Sequence, residues 1–238
     1  MNFLKNWKGI LITAVLFIVN LWVIQFTDFD LYVQDRVYNF QTGTWPLAAV
    51  HARYGWLLYS GIKAALALFA LLLISLYALS FTEKFAGLKQ YRRVFICIVL
   101  SLALCPLIAS EAKKVTNIYC PYQIERYGGD NPYVKPFSQY PADFVQRKKA
   151  RGFPAGHAAG GFALLSLFFA FKERRHRIIF GSLGLAVGIF MGTYQILRGQ
   201  HYIGDTLVTV FGCLLINLII FRRWPVFPAP GPDRGQTA

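Results

Sequence analysis

Charge is scarce in this chain, and negative charge is scarcer still. Only 15% of the 238 residues are charged, and 11 Asp and Glu face 25 Lys and Arg. Water-soluble domains usually carry about 25% charged residues, so the shortage argues against an ordinary soluble fold. Segments 64–79 and 207–221 contain no charge at all. Cysteine is thin as well. Cys97, Cys105 and Cys213 fall inside apolar runs, and Cys120 stands alone. No CxxC or Cys/His spacing is present, which argues against a structural disulfide and against a zinc site. No internal repeat and no nucleic-acid-binding motif are evident.

What the chain does have is hydrophobic length. Hydrophobic residues make up 55% of it, and crossing a bilayer core takes about 20 of them per helix. Six candidate spans fall near 9–26, 57–81, 94–109, 153–171, 178–197 and 202–221. The third is short and contains Pro106, and the fourth is rich in Gly and Ala. The first contains Asn20 and has no small-x-small cleavage site at its end, so it reads as a retained helix. The expected fold class is all-α: a polytopic membrane protein built as a six-transmembrane-helix bundle. Residues 1–224 form one domain with a long outer loop at 111–152. The Pro- and Gly-rich segment 225–238 is expected to be a disordered cytoplasmic tail.

Lys and Arg in short loops set orientation. Lys5 and Lys8, then Lys84, Lys89, Arg92 and Arg93, then Lys172, Arg174, Arg175 and Arg177, then Arg222 and Arg223 alternate with the spans. That pattern puts both termini in the cytoplasm. Asp28, Asp30 and Asp35 then lie outside, and the net charge of +14 is partly a topology signal. The loop at 111–152 breaks the pattern. It lies outside, yet holds Lys113, Lys114, Arg126, Lys135, Arg147, Lys148, Lys149 and Arg151. These cations are either a solvated surface or a site for a phosphate or anionic headgroup.

Three segments at that outer side carry candidate chemistry. His201 and Asp205 are four apart, with His201 expected to open the sixth helix and Gly199 to make a tight turn before it. This spacing lets a carboxylate hold one imidazole nitrogen and leave the other as a nucleophile or base. A capping role at the helix start is the alternative. Pro154-Ala155-Gly156-His157 opens the fourth span, where free N–H groups favour anions and His157 can donate a proton. Arg198 can grip phosphate through two hydrogen bonds, or simply snorkel. The same choice applies to Lys113 and Lys114, while Lys63 has only the snorkelling account.

At these residues the chain resembles the type 2 phosphatidic acid phosphatase (PAP2) superfamily. Its pattern is Lys-x6-Arg-Pro, then Pro-Ser-Gly-His, then Ser-Arg-x5-His-x3-Asp, on six membrane helices. Lys113, Pro121, Pro154, Gly156, His157, His201 and Asp205 match in order and spacing. Cys120, Ala155 and Gln195 stand where the family has Arg, Ser and Arg. Those losses remove phosphate-holding groups and spare the chemical ones. Arg198, with Arg126 or Arg151, is the expected replacement.

The resemblance implies a metal-independent, cofactor-free lipid phosphate phosphatase. His201 would attack phosphorus, Asp205 would orient it and His157 would protonate the leaving oxygen. Lys113, Gly156 and Arg198 would hold the phosphate. It implies a bacterial inner-membrane location, a periplasmic site and a lipid substrate of the lipid A, undecaprenyl pyrophosphate or phosphatidylglycerol phosphate type. Two rival functions stand beside it. One is a phosphotransferase that passes the phosphoryl group to another lipid. The other is a catalytically inactive lipid-binding membrane protein or transporter.

Overall fold

The computed structural model describes residues 7–226. Lys5 of the charge argument and all of the expected tail after Val226 lie outside the described residues. Pro225 and Val226 do not fit the expectation of disorder. Val226 is buried in the core, and Arg93 Nη1 donates to the Pro225 carbonyl at 3.4 Å.

The described chain is helical, with only two isolated bridges, Asn39 with Thr44 and Ile124 with Asn131. Helix α1 spans Lys8–Phe26, α2 Phe29–Val37 and α3 Ala48–Gly55. A π-helical turn, Trp56–Gly61, carries α3 without a break into α4, Ile62–Leu79. Helix α5 spans Arg92–Thr116, α6 Gly156–Ala163, α7 Leu167–Ala170, α8 Arg174–Ile196 and α9 Ile203–Arg223.

Five segments are long and apolar enough to cross a membrane: Lys8–Phe26, Ala48–Leu79, Glu83–Gln123, Arg174–Ile196 and Ile203–Arg223. The sixth expected span differs. Gly156–Ala170 is shorter and is broken by a 3-10 turn at Leu164–Ser166. At about 1.5 Å per residue its 15 residues reach about 22 Å, short of a full crossing. It sits at the centre of the bundle, packed on α5, α8 and α9. Ala158, Ala159, Phe162 and Ala163 are fully buried. Small residues allow the close approach. A Cβ on Gly161 would lie 2.7 Å from the Gly188 Cα, so only glycine lets α6 and α8 meet there.

The third span also differs from expectation. Helix α5 runs through Pro106 for 25 residues and ends only at Thr116. Glu111, Lys113 and Lys114 are therefore helical, and the outer loop begins at Asn117. Glu111 and Lys114 pair with each other at 2.7 Å on the exposed side.

That loop is held down by its own side chains. Asn117 takes a left-handed conformation (φ 55°). Its side chain pairs with Gln146 at 2.7 and 3.0 Å and accepts the Ala150 N–H at 2.8 Å. Several loop cations already have partners. Arg126 grips Asp35 through two bonds of 2.7 and 2.6 Å, and Lys135 reaches Asp28 at 2.9 Å. The acidic first loop and the basic long loop thus neutralise each other in part. The end of α5, the starts of α6 and α9 and the end of α8 all meet beneath this loop.

Candidate active site

Helix α9 begins differently from the sequence reading. His201 lies two residues before it, and Tyr202 is the extended residue at its cap (φ −80°, ψ 164°). The extended backbone lets the imidazole swing back over the first turn. His201 Nδ1 lies 3.1 Å from Asp205 Oδ2, and the same oxygen accepts the Tyr202 N–H at 2.9 Å. Both side chains are buried, with 3% and 2% of their surface exposed. The carboxylate assigns the proton to Nδ1 and leaves the lone pair on Nε2. Burial, and then the nearby Lys113 ammonium, hold His201 well below the ordinary histidine range, against the pull of the Gly152 backbone. The imidazole is therefore neutral at neutral pH, which is the form a nucleophile needs.

Lys113 in the last turn of α5 faces that free nitrogen. Its Nζ is 3.5 Å from His201 Nε2 and donates to the Arg151 carbonyl at 3.0 Å. Gly156 makes room for it, because a Cβ there would stand 3.1 Å from Lys113 Cε. The two adjacent lysines are thus separated by the structure: Lys113 turns to the site and Lys114 turns away to Glu111.

The second segment is fastened to the third. Ala155 N–H donates to Thr209 Oγ1 at 3.0 Å, and Thr209 donates to the Asp205 carbonyl at 2.7 Å. His157 follows in the first turn of α6. Its Nε2 is buried and has no hydrogen-bond partner, and its ring lies 4.2 Å from that of Tyr59. The first segment is tied in as well, since the Tyr122 N–H donates to the Gly199 carbonyl at 2.9 Å. Gly199 adopts φ +67°, the tight turn expected of it.

The replacements sort themselves out. Arg198 Nη1 donates to Gln195 Oε1 at 2.8 Å, so the buried Gln195 holds the guanidinium from one turn back. Arg198 also stands over Tyr194 and Tyr59, at 5.5 and 5.7 Å from their ring centroids. Arg126 is committed to Asp35 and does not serve as a replacement. Arg151 offers Lys113 its carbonyl, while its guanidinium lies 3.5 Å from Ser110 Oγ. Cys120 offers a thiol in place of a guanidinium, so it brings no fixed cation to the site.

Three contributors were not legible as site residues. Tyr59 packs on His157 from the α3–α4 arm. Lys63, four residues on, lies 4.7 Å from the Tyr59 ring. Asp30 of α2 accepts the Gly204 N–H at 2.8 Å and so caps α9 beside Asp205. The one available signal was Lys63, a lone charge in an apolar run. Among the described residues, no group of three or more His, Cys, Asp or Glu is placed to share a metal ion.

An all-helical chain with five membrane-length apolar helices, and a buried His–Asp pair facing a lysine at one end, has the make-up of a multi-pass membrane phosphatase. The family model for the PAP2 superfamily matches residues 94–227, more than half of the chain, and the protein belongs to that superfamily. Membership supports phosphatase-type activity on phosphate esters. No curated protein and no solved structure matches the chain.

Proposed function

We propose that the protein is an integral membrane phosphatase acting on the phosphate or diphosphate of a lipid, of the lipid A, undecaprenyl pyrophosphate or phosphatidylglycerol phosphate type. The observation that carries this is the His201 imidazole, with Nδ1 on Asp205 and Nε2 facing Lys113. In this reading Nε2 attacks phosphorus and forms a phosphohistidine. Asp205 fixes the tautomer and stabilises the cation that develops. His157, with its free Nε2, protonates the leaving oxygen and then activates water to release phosphate. Lys113, Arg198 and the α6 N–H groups at Gly156 hold the equatorial oxygens, so the catalysis is mainly electrostatic positioning.

The alternation of basic loops supports a site on the periplasmic face of a bacterial inner membrane. One experiment tests both function and side. Dihexanoyl phosphatidic acid, soluble and impermeant, is added to intact spheroplasts expressing the protein, and released phosphate is measured. Release is expected, and His201→Ala should reduce it about 10⁴–10⁶-fold at normal protein levels, the scale seen when a catalytic triad loses a member. Release by His201→Ala within a few-fold of the parent overturns the assignment. Release only from inverted vesicles moves the site to the cytoplasm.

A further inference from the structure

The superfamily match begins at residue 94, yet part of the site wall comes from before it. Tyr59 and Lys63 are one turn apart on the same face of the α3–α4 arm. The Tyr59 ring is shared: His157 lies against it at 4.2 Å, Lys63 Nζ is 4.7 Å from its centroid and the Arg198 guanidinium 5.7 Å. Among the described residues, no carboxylate pairs with Lys63. An ammonium in an apolar helix is costly there without a partner. The Lys63 side chain is exposed and reaches back one turn toward Tyr59. There it lines a cavity of about 360 Å³ together with Gly156 and His157. Below these polar groups the cavity walls are apolar, with Leu66, Leu102 and Pro106 among them.

The two lysines divide the site. Lys113 stands at His201, on the side of the attacking nitrogen. Lys63 stands on the side of His157, where the leaving group departs. We infer that Tyr59 and Lys63 form a leaving-group subsite for a second phosphate, so that the preferred substrate is a diphosphate whose hydrocarbon chain occupies the cavity. This rests on the proposed roles of His201 and His157. His201 Nε2 attacks the terminal phosphorus, a P–N bond forms and the bond from that phosphorus to the bridging oxygen breaks. The electron pair stays on that oxygen, which leaves as part of a lipid monophosphate. An alkoxide leaving group depends on a proton from His157. A phosphate leaves as an anion and depends more on a cation, which Lys63 supplies. Water then attacks the phosphohistidine, the P–N bond breaks and inorganic phosphate departs, with the water proton passing to His157.

The test uses the full-length protein in detergent and compares kcat/KM for farnesyl diphosphate and farnesyl monophosphate. The parent is expected to prefer the diphosphate. Lys63→Gln should shrink that preference about 10–100-fold, the usual cost of a lost hydrogen bond to a charged group, while Lys63→Arg should keep most of it. A preference unchanged by Lys63→Gln, or lost equally in Lys63→Arg, overturns the subsite. A second measurement does not need turnover. In the His201→Ala variant, binding of the same two lipids should show the same Lys63-dependent preference, and equal binding overturns it. Inorganic pyrophosphate, offered as a competitor, should bind far more weakly than farnesyl diphosphate. Equal competition would overturn the part of the inference that places a chain in the cavity. Absence of phosphate release from any substrate would refute the proposed hydrolysis, and the binding comparison would still decide the role of Lys63.

Discussion

The α5–α9 half and the α3–α4 arm are both apolar and both helical, yet they are held very differently. In Ile203–Arg223, 44% of the apolar window is buried within the protein, against 6% in Ala48–Leu79. The first half holds all three motif segments and is stitched across its end by hydrogen bonds from Ala155 to Thr209 and from Tyr122 to Gly199. The arm reaches the site through Tyr59 and Lys63, with cavities on its flanks at Lys63 and Leu66 and at Ile62 and Phe69. The difference separates two jobs. The packed half holds the reacting groups in place through burial and its hydrogen-bond cross-links. The arm forms a wall whose side chains can change without disturbing that geometry.

The largest expected effect comes from attacking the packed half directly. A Cβ on Gly188 would enter the Phe162 ring. Gly188→Leu should therefore cost about 3 kcal/mol or more, from overpacking. Ala64→Leu on the exposed face of the arm should stay within about 0.5 kcal/mol. Thermal unfolding in detergent measures both. Equal losses would show that the arm is as tightly held as the core and would break the comparison.

Next comes Arg198, at the border of the two regions. Arg198→Lys keeps a charge but loses the planar fork that spans Gln195 and the site, so turnover should fall about tenfold with stability unchanged. Unchanged turnover would make Arg198 an interfacial anchor and leave phosphate binding to Lys113 and the α6 N–H groups at Gly156.

The smallest effect concerns α2. Burial, and then the neighbouring Asp205, raise the Asp30 carboxyl to about 7, against the Gly204 N–H that favours its charge. Tyr133 faces the same pair. A carboxyl raised in the folded state binds its proton more tightly there than in the unfolded chain, so it lowers stability as pH rises from about 4 to about 7. Asp30→Asn retains an oxygen for the Gly204 N–H and removes the titration. The parent's melting temperature should fall across that window, and the variant's should fall less. Parallel profiles would remove Asp30 from the account.

Much of the site was legible because the groups that make it are close in sequence. His201 and Asp205 are four apart, and each motif segment is short, so spacing alone shows their relation. The true helix start was not legible, because an extended Tyr202 brings His201 over the first turn as well as a helical one would. Tyr59, Lys63 and Asp30 were missed as site residues for a different reason. Each reaches the site from a separate element, and their contacts depend on how helices pack rather than on any local period. The fate of the loop cations was hidden in the same way. Arg126 looked available until Asp35, 91 residues away, was found beside it. Pro106 suggested a short third span, but a proline within a long apolar helix is tolerated where neighbouring helices support it.

The central helix carries a consequence for how this protein is made. Gly156–Ala170 is too short for a full crossing and was too rich in Gly and Ala to stand out by hydropathy. Its Gly161 fits closely against Gly188, which is synthesised later. Released alone from the translocation machinery, it would have little reason to prefer lipid over water. It must wait for α8, and for α9 behind it, and enter the bilayer in their company. An insertion assay on α6–α7 alone should therefore fail where one on α5–α9 succeeds. Assembly and catalysis then share a helix: α9, the last of the described helices, brings Asp205, and its arrival is also what seats the helix that carries His157.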